Sequence, residues 1–145
     1  ALFRSRLAAG RAGAGVGAQA QPGAVGTGRS FDGKTGEAKS QRVIVERAGR
    51  LSGRIERLLR RGADPAARCT ECSDGRKGQP LGGLEIIRGA RASADGTVWE
   101  GGKILDPENG KSYTLRLTPA DEGRKLDVRG SIGPFGRTQT WQRVP

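Results

Sequence analysis

The feature that most narrows the folds open to this chain is its rhythm after residue 40. Short β-type runs follow one another, each closed by a turn signal, with little room for crossover helices between them. Val43-Ile44-Val45 is β-branched, and Leu51 to Ile55 follows it across Arg47-Ala48-Gly49, the composition of a hairpin turn. Leu84 to Ile87 and Thr97 to Trp99 are further strand candidates, as are Leu126 to Arg129 and Thr138 to Val144. Ser112 to Leu117 alternates cleanly: Tyr113, Leu115 and Leu117 share one face, Thr114 and Arg116 the other, the period of a half-buried strand. Ahead of it, Asp106-Pro107-Glu108-Asn109-Gly110-Lys111 is the clearest turn, and Asn-Gly predicts a type I′ hairpin. One ambiguity stands, because Ile55, Leu58 and Leu59 also fit one face of a short helix over 55–61. Residues 62–80 have no periodicity and read as a long loop holding both cysteines. The expectation is at least six antiparallel strands after residue 40, arranged as a barrel or sandwich. At most one short helix is expected, near 55–61 or just after the cysteines.

The start of the chain has a different character. Residues 1–20 carry Arg4, Arg6 and Arg11, no acid, and end in Ala18-Gln19-Ala20, a small-x-small pattern that places a mature start at Gln21. Residues 1–22 are therefore expected to be a degenerate signal-peptide-like or disordered segment, and 23–145 the folded domain. Nothing approaches the length of apolar sequence that crosses a bilayer as a helix.

Charge and missing residue types exclude more than they select. The chain has 26 Lys+Arg against 15 Asp+Glu, a net charge of +11, and a field of that sign attracts polyanions. No block of five consecutive cations exists, and one Tyr and three Phe give little for base stacking, so specific nucleic-acid recognition is not expected. Without His there is no Ser-His-Asp triad and no His-based metal site. Gly13 to Gly17 is Gly-rich but follows no strand and opens no helix, so it is no phosphate loop. No cofactor is implied.

Cys69 and Cys72 are the only sulfur atoms, as Met is absent. Four readings are open. A structural disulfide in an oxidising compartment suits the loop context. A redox pair would need a helix N-terminus at Cys69 to lower its thiol pKa. Zinc would need two more ligands from a second subunit. The last is a pair of free thiols. Asp106, Glu108 and Asn109 offer oxygens to a cation such as Ca²⁺, but Asp and Asn do the same for turn backbone. Asp32 and Glu37, flanking Gly33 and Gly36, read as a loop in the same way. No carboxylate pair stands out as an acid/base couple.

Taken in order, several segments resemble one family. Asp32-Gly33-Lys34-Thr35-Gly36-Glu37-Ala38-Lys39-Ser40 is similar to the opening motif of DUF2147 proteins, and Leu51 to Ile55 to the family's next strand. Cys69-Thr70-Glu71-Cys72, Pro80 to Leu84, Glu100 to Tyr113, Val128 to Gly133 and Gly136 to Arg143 continue the match over roughly 25–145. The resemblance implies an all-β, lipocalin-like (calycin) antiparallel barrel that is exported, periplasmic or secreted, with no settled biochemical role. It also implies an opening Gly-x-Trp whose indole closes one end against a late-strand Arg. Here the positions read Gly26-Thr27-Gly28. The missing indole predicts an impaired N-terminal half, poor closure at that end, and a gain in stability from Gly28→Trp.

In such a barrel, Trp99, Tyr113, Phe135 and Trp141 either pack the core or line an interior that holds one small ligand. Of Arg129, Arg137 and Arg143, one is expected at the closed end, and an inward Arg would anchor a ligand carboxylate. The candidate ligand-binding residues are Trp99, Tyr113, Arg129 and Trp141, the ligand small and amphipathic or anionic. Two other readings compete: an envelope-associated interaction protein that uses its basic surface, and a thiol-redox enzyme centred on Cys69.

Overall fold

In a computed structural model that describes residues 23–145, eight strands run in chain order. They are β1 (Gly26–Phe31), β2 (Ala38–Arg47), β3 (Arg50–Leu58), β4 (Glu85–Ala92), β5 (Trp99–Asp106), β6 (Lys111–Ala120), β7 (Lys125–Ile132) and β8 (Phe135–Arg143). Each pairs antiparallel with the next, and β8 returns to β1, so the sheet closes into an up-and-down barrel. Closure removes the exposed edges that an open sheet must otherwise protect. The expected strands all form, and β1, which shows no hydrophobic alternation, joins them. The signal-peptide-like segment lies outside the described residues.

Three local expectations are corrected. The alternative helix over 55–61 does not form, because β3 continues to Leu58 with Leu51, Gly53 and Ile55 alternating onto the buried face. Its backbone groups are taken by β2 and β4. The described helix is a single 3-10 turn at Asp121–Gly123. The type I′ geometry falls on Ala48-Gly49, with φ of 51° and 77°, between the paired Arg47 and Arg50. Asn109-Gly110 belongs instead to a four-residue loop between the paired Asp106 and Lys111, in which Gly110 alone has positive φ (77°). Its N–H donates to Asp106 O at 2.8 Å.

The barrel is not left open at the end where the indole was expected. The β1–β8 seam is short, with Gly28 opposite Arg143 and Arg29 opposite Gln142. It is extended by a bond from Val144 N to Thr27 O at 2.9 Å. Arg143 ties the bottom together: Nε donates to Gly123 O at 2.7 Å and Nη2 to Val25 O at 3.0 Å, while Ala24 is buried beneath. The space an indole from β1 would fill is taken from the opposite side of the seam by Trp141 of β8, which is 2% exposed. Only about 20 Å³ remains empty beside Gly28. Burying that ring is worth about 4–6 kcal/mol before entropy is subtracted. The interior is otherwise packed by Leu51, Ile55, Ile87, Leu115 and Leu117, all fully buried.

The 59–84 loop is ordered by its own bonds. Cys69 and Cys72 form a disulfide and are fully buried. Cys69 N donates to Gln79 O and Gly78 N to Cys69 O, both at 2.8 Å. Arg76 pairs with Asp74 at 2.6 Å and donates through Nη1 to Glu85 O at 2.9 Å, which fastens the loop to the start of β4. The same loop rests on the β5–β6 turn, where a Cβ on Gly110 would stand 2.7 Å from the carbonyl carbon of Glu71.

Candidate ligand cup

Because inward positions recur every second residue, each strand delivers one parity to the interior. At the closed end those positions are filled. At the other end, between the β5–β6 and β7–β8 turns, they leave a cavity of about 420 Å³. That is within the usual range for small-ligand sites. At about 30 Å³ per water, it equals the volume of roughly 14 waters.

One part of its wall is apolar: Ile104 and Tyr113 are paired across β5 and β6, Val128 comes from β7, and Ile132 and Phe135 form the end of the β7–β8 hairpin. Ile132 and Phe135 are 52% and 79% exposed, which leaves an apolar lip at the mouth. The Tyr113 hydroxyl accepts from Asn109 Nδ2 at 3.0 Å and, among the described residues, donates to none.

Arg42 of β2 is the one guanidinium in this lining that is buried, at 9% exposed. Its guanidinium carbon lies 4.7 Å from the centroid of the Trp141 ring, a cation–π contact. Nε donates to Ser40 Oγ at 2.8 Å, and Ser40 Oγ lies 3.1 Å from Ser30 Oγ, which gives the guanidinium a polar footing in the barrel wall. Trp141 is itself oriented by a bond from Nε1 to Gln139 Oε1 at 3.0 Å. Among the described residues, Arg42 Nη1 and Nη2 make no hydrogen bond. Loss of solvent lowers the Arg42 pKa to about 10, against the pull of Asp106 and Glu108 in the other direction. The group is therefore charged at neutral pH.

The rim is braced by ion pairs. Lys39 reaches Glu108 at 3.2 Å, and Arg60 reaches Asp32 at 3.1 Å, Glu37 at 3.6 Å and Glu108 at 3.9 Å. These link the β1–β2 loop, the segment after β3 and the β5–β6 turn around one side of the mouth. Asp32 also accepts from Lys34 N and Thr35 N; those two bonds, then Arg60, bring its pKa down to about 2. Four cations line the cup (Lys39, Arg42, Lys111, Arg137) against two carboxylates, Asp106 and Glu108.

The sequence-derived candidates divide. Tyr113 lines the cup, and Trp141 lies under it as the platform for Arg42. Trp99 is half-buried opposite Leu117 and does not border the cavity. Arg129 is exposed, reaches Thr138 Oγ1 at 3.5 Å, and also stands outside the cup. Arg143 is the expected closed-end Arg, while Arg137 sits at the mouth. Arg42 itself was missed. Its one signal was parity: Ser40, Arg42 and Ile44 share a face, and Ile44 reads as inward.

Asp106, Glu108 and Asn109 turn their oxygens to local work. Asp106 Oδ1 accepts from Glu108 N at 2.9 Å, Asn109 Oδ1 accepts from Lys111 N at 2.8 Å, and Glu108 is held by the rim cations. The disulfide is close to the cup. It lies behind the cup wall, with Cys69 Sγ 4.0 Å from Pro107 O.

Comparison with known proteins gives two matches. A family model described as an uncharacterized protein conserved in bacteria, DUF2147, matches residues 27–143. Among solved structures, protein HP1028 from the human pathogen Helicobacter pylori, titled as belonging to the lipocalin family, is similar with a TM-score of 0.70. It is 18% identical, over 83% of this chain and 82% of that one, a likeness of fold. No curated protein sequence matches the chain.

Proposed function

The chain belongs to the DUF2147 family, and on that premise we propose that it is an exported small-molecule binding protein whose ligand sits in the open end of the barrel. The observation that carries this reading is the cup itself. A barrel whose only task was structural would fill both ends, whereas this one packs its closed half and keeps about 420 Å³ open beside a buried, charged Arg42. A filled interior would have favoured the surface-interaction reading instead. The lipocalin-like fold is compatible with one small ligand per barrel. Export to an oxidising compartment is supported by the Cys69–Cys72 disulfide, since such bonds persist there and are rare in the cytosol.

The test is native mass spectrometry of the full chain, purified without denaturation from the compartment where it resides. The expected result is a co-purifying small molecule at one per chain. Stripped protein should then bind a single equivalent of an amphiphile saturably. Absence of any bound species, together with no saturable binding across a panel of alkyl and aryl amphiphiles, would overturn the reading.

A further inference from the structure

We infer that the ligand is an amphipathic organic monocarboxylate, held with its carboxylate on the Arg42 guanidinium and its apolar body along the cup wall. This rests on the binding reading above and adds the chemistry of the ligand.

The argument begins with what Arg42 lacks. A buried cation needs partners, because desolvation costs more than a single neutral hydrogen bond returns. Arg42 is 9% exposed, yet among the described residues it has one hydrogen bond, from Nε to Ser40 Oγ, and no salt bridge. Trp141 covers one face of the guanidinium. Nη1 and Nη2 are left as a pair of parallel donors on a group that lines the cavity. A planar fork of this kind matches a carboxylate bidentately. Lys39, another cation of the lining, is already engaged by Glu108.

Charge sets the valence. Arg42 is the one buried cation of the lining and neutralises one negative charge, whereas Lys111 and Arg137 are exposed and screened by solvent. A monocarboxylate therefore fits better than a phosphate monoester dianion. The remainder of the ligand meets Ile104, Val128, Ile132 and Phe135, which reward an apolar chain or ring. Tyr113 offers an unused hydroxyl proton on the same wall.

The experiment uses the full, ligand-stripped chain and three probes, decanoate, decanol and decyl phosphate, followed by calorimetry. Decanoate should bind one to one, about tenfold or more tighter than decanol, since hydrogen bonds to a charged partner are worth at least that factor. The ¹³C resonance of carboxyl-labelled decanoate should titrate below its free pKa when bound. Arg42→Gln should bring decanoate to within about twofold of decanol while decanol affinity is kept, and Arg42→Lys should restore part of the preference. Equal binding of decanoate and decanol by the unaltered chain overturns the inference and leaves the cup reading intact. Tighter binding of decyl phosphate than of decanoate overturns the monoanion assignment. Binding of none of the three also overturns the inference, and the cup reading is then decided by the co-purification result. Because the probe comparison and the ¹³C titration need only the unaltered chain, they decide the matter even if the Arg42 variants fold poorly.

Discussion

Replacing Gly110 with Ala isolates the contact that seats the disulfide loop on the cup wall. Gly110 has φ of 77°, and Gly36 has almost the same value at 75°. An Ala at either position incurs the left-handed penalty of about 1–2 kcal/mol, less about 0.4–1 kcal/mol returned by stiffening the unfolded chain. Around Gly36 the space is open, so Gly36→Ala should cost only the net backbone penalty, about 0–1.6 kcal/mol. At Gly110 the new methyl would lie 2.7 Å from the Glu71 carbonyl carbon and closer still to its oxygen, both backbone atoms. Either the turn or the Cys69–Cys72 loop must move, and forced overpacking of this sort costs a further 1–3 kcal/mol or so. Gly110→Ala should thus lose about 1–4.6 kcal/mol, a fall of roughly 4–18 °C at about 4 °C per kcal/mol for a domain of this size. Thermal melts and urea midpoints of the parent and the two variants measure it. A Gly110→Ala midpoint within about 0.5 kcal/mol of Gly36→Ala would refute the docking of the loop on the turn.

Four other outcomes are expected. Ala48→Gly should raise the urea midpoint by about 0.5–1 kcal/mol, because Ala48 sits at φ 51° where a side chain is strained; no change would mean that the turn is not type I′. Gly28→Trp should destabilise, contrary to the gain expected from the family pattern, since about 20 Å³ cannot take an indole beside Trp141; Gly28→Ala, whose methyl meets Gln142 O at 3.4 Å, should be neutral or slightly stabilising, and a Trp variant with a higher midpoint would refute the account of the seam. Replacing both cysteines with Ser should lower the melting temperature clearly, because both positions are fully buried and hydroxyls there would cost about 1–3 kcal/mol each without partners; an unchanged melt would show that the loop is not packed. Asp32, Asp74 and Asp95 have folded pKa values lowered to about 2 from 3.8, by bonds from Lys34 N and Thr35 N first, from Arg76 first and from Ser93 first, respectively. The unfolded state then binds more protons between those values, so their contribution is present above about pH 4 and lost as pH falls toward 2. Asp32→Asn should flatten the urea midpoint over that window, and an identical pH profile would refute the assignment.

Most of the barrel was legible because strands announce themselves locally. Tyr113, Leu115 and Leu117 alternate whatever surrounds them, and Ala48-Gly49 turns the chain with two residues. Where local signals were equivocal, pairing decided. Ile55 to Leu58 suits a helix or a strand, and pairing with β2, together with bonds from Ile55 to Gly83 and Leu84, holds it as a strand. β1 carries almost no apolar pattern, so it exists as a strand because β2 and β8 offer ladders on both sides.

The amino-acid order alone therefore determined the all-β class, the succession of hairpins and the family resemblance, while the Cys69–Cys72 bond, one of four readings open in the sequence, was decided by the fold of the loop. The cup was decided by closure. An Arg in a strand of a basic chain reads as solvated, and only the parity it shares with Ile44 says otherwise. Only the closing of β8 onto β1, 99 positions after Arg42 in the chain at Trp141, turns that parity inward and lays the guanidinium on an indole. The same holds for Gly110 and Glu71, whose contact depends on a loop folding back over a turn. Periodicity is carried by neighbours along the chain, whereas burial is a property of the closed surface, so a site made by burial leaves at most its parity in the local sequence.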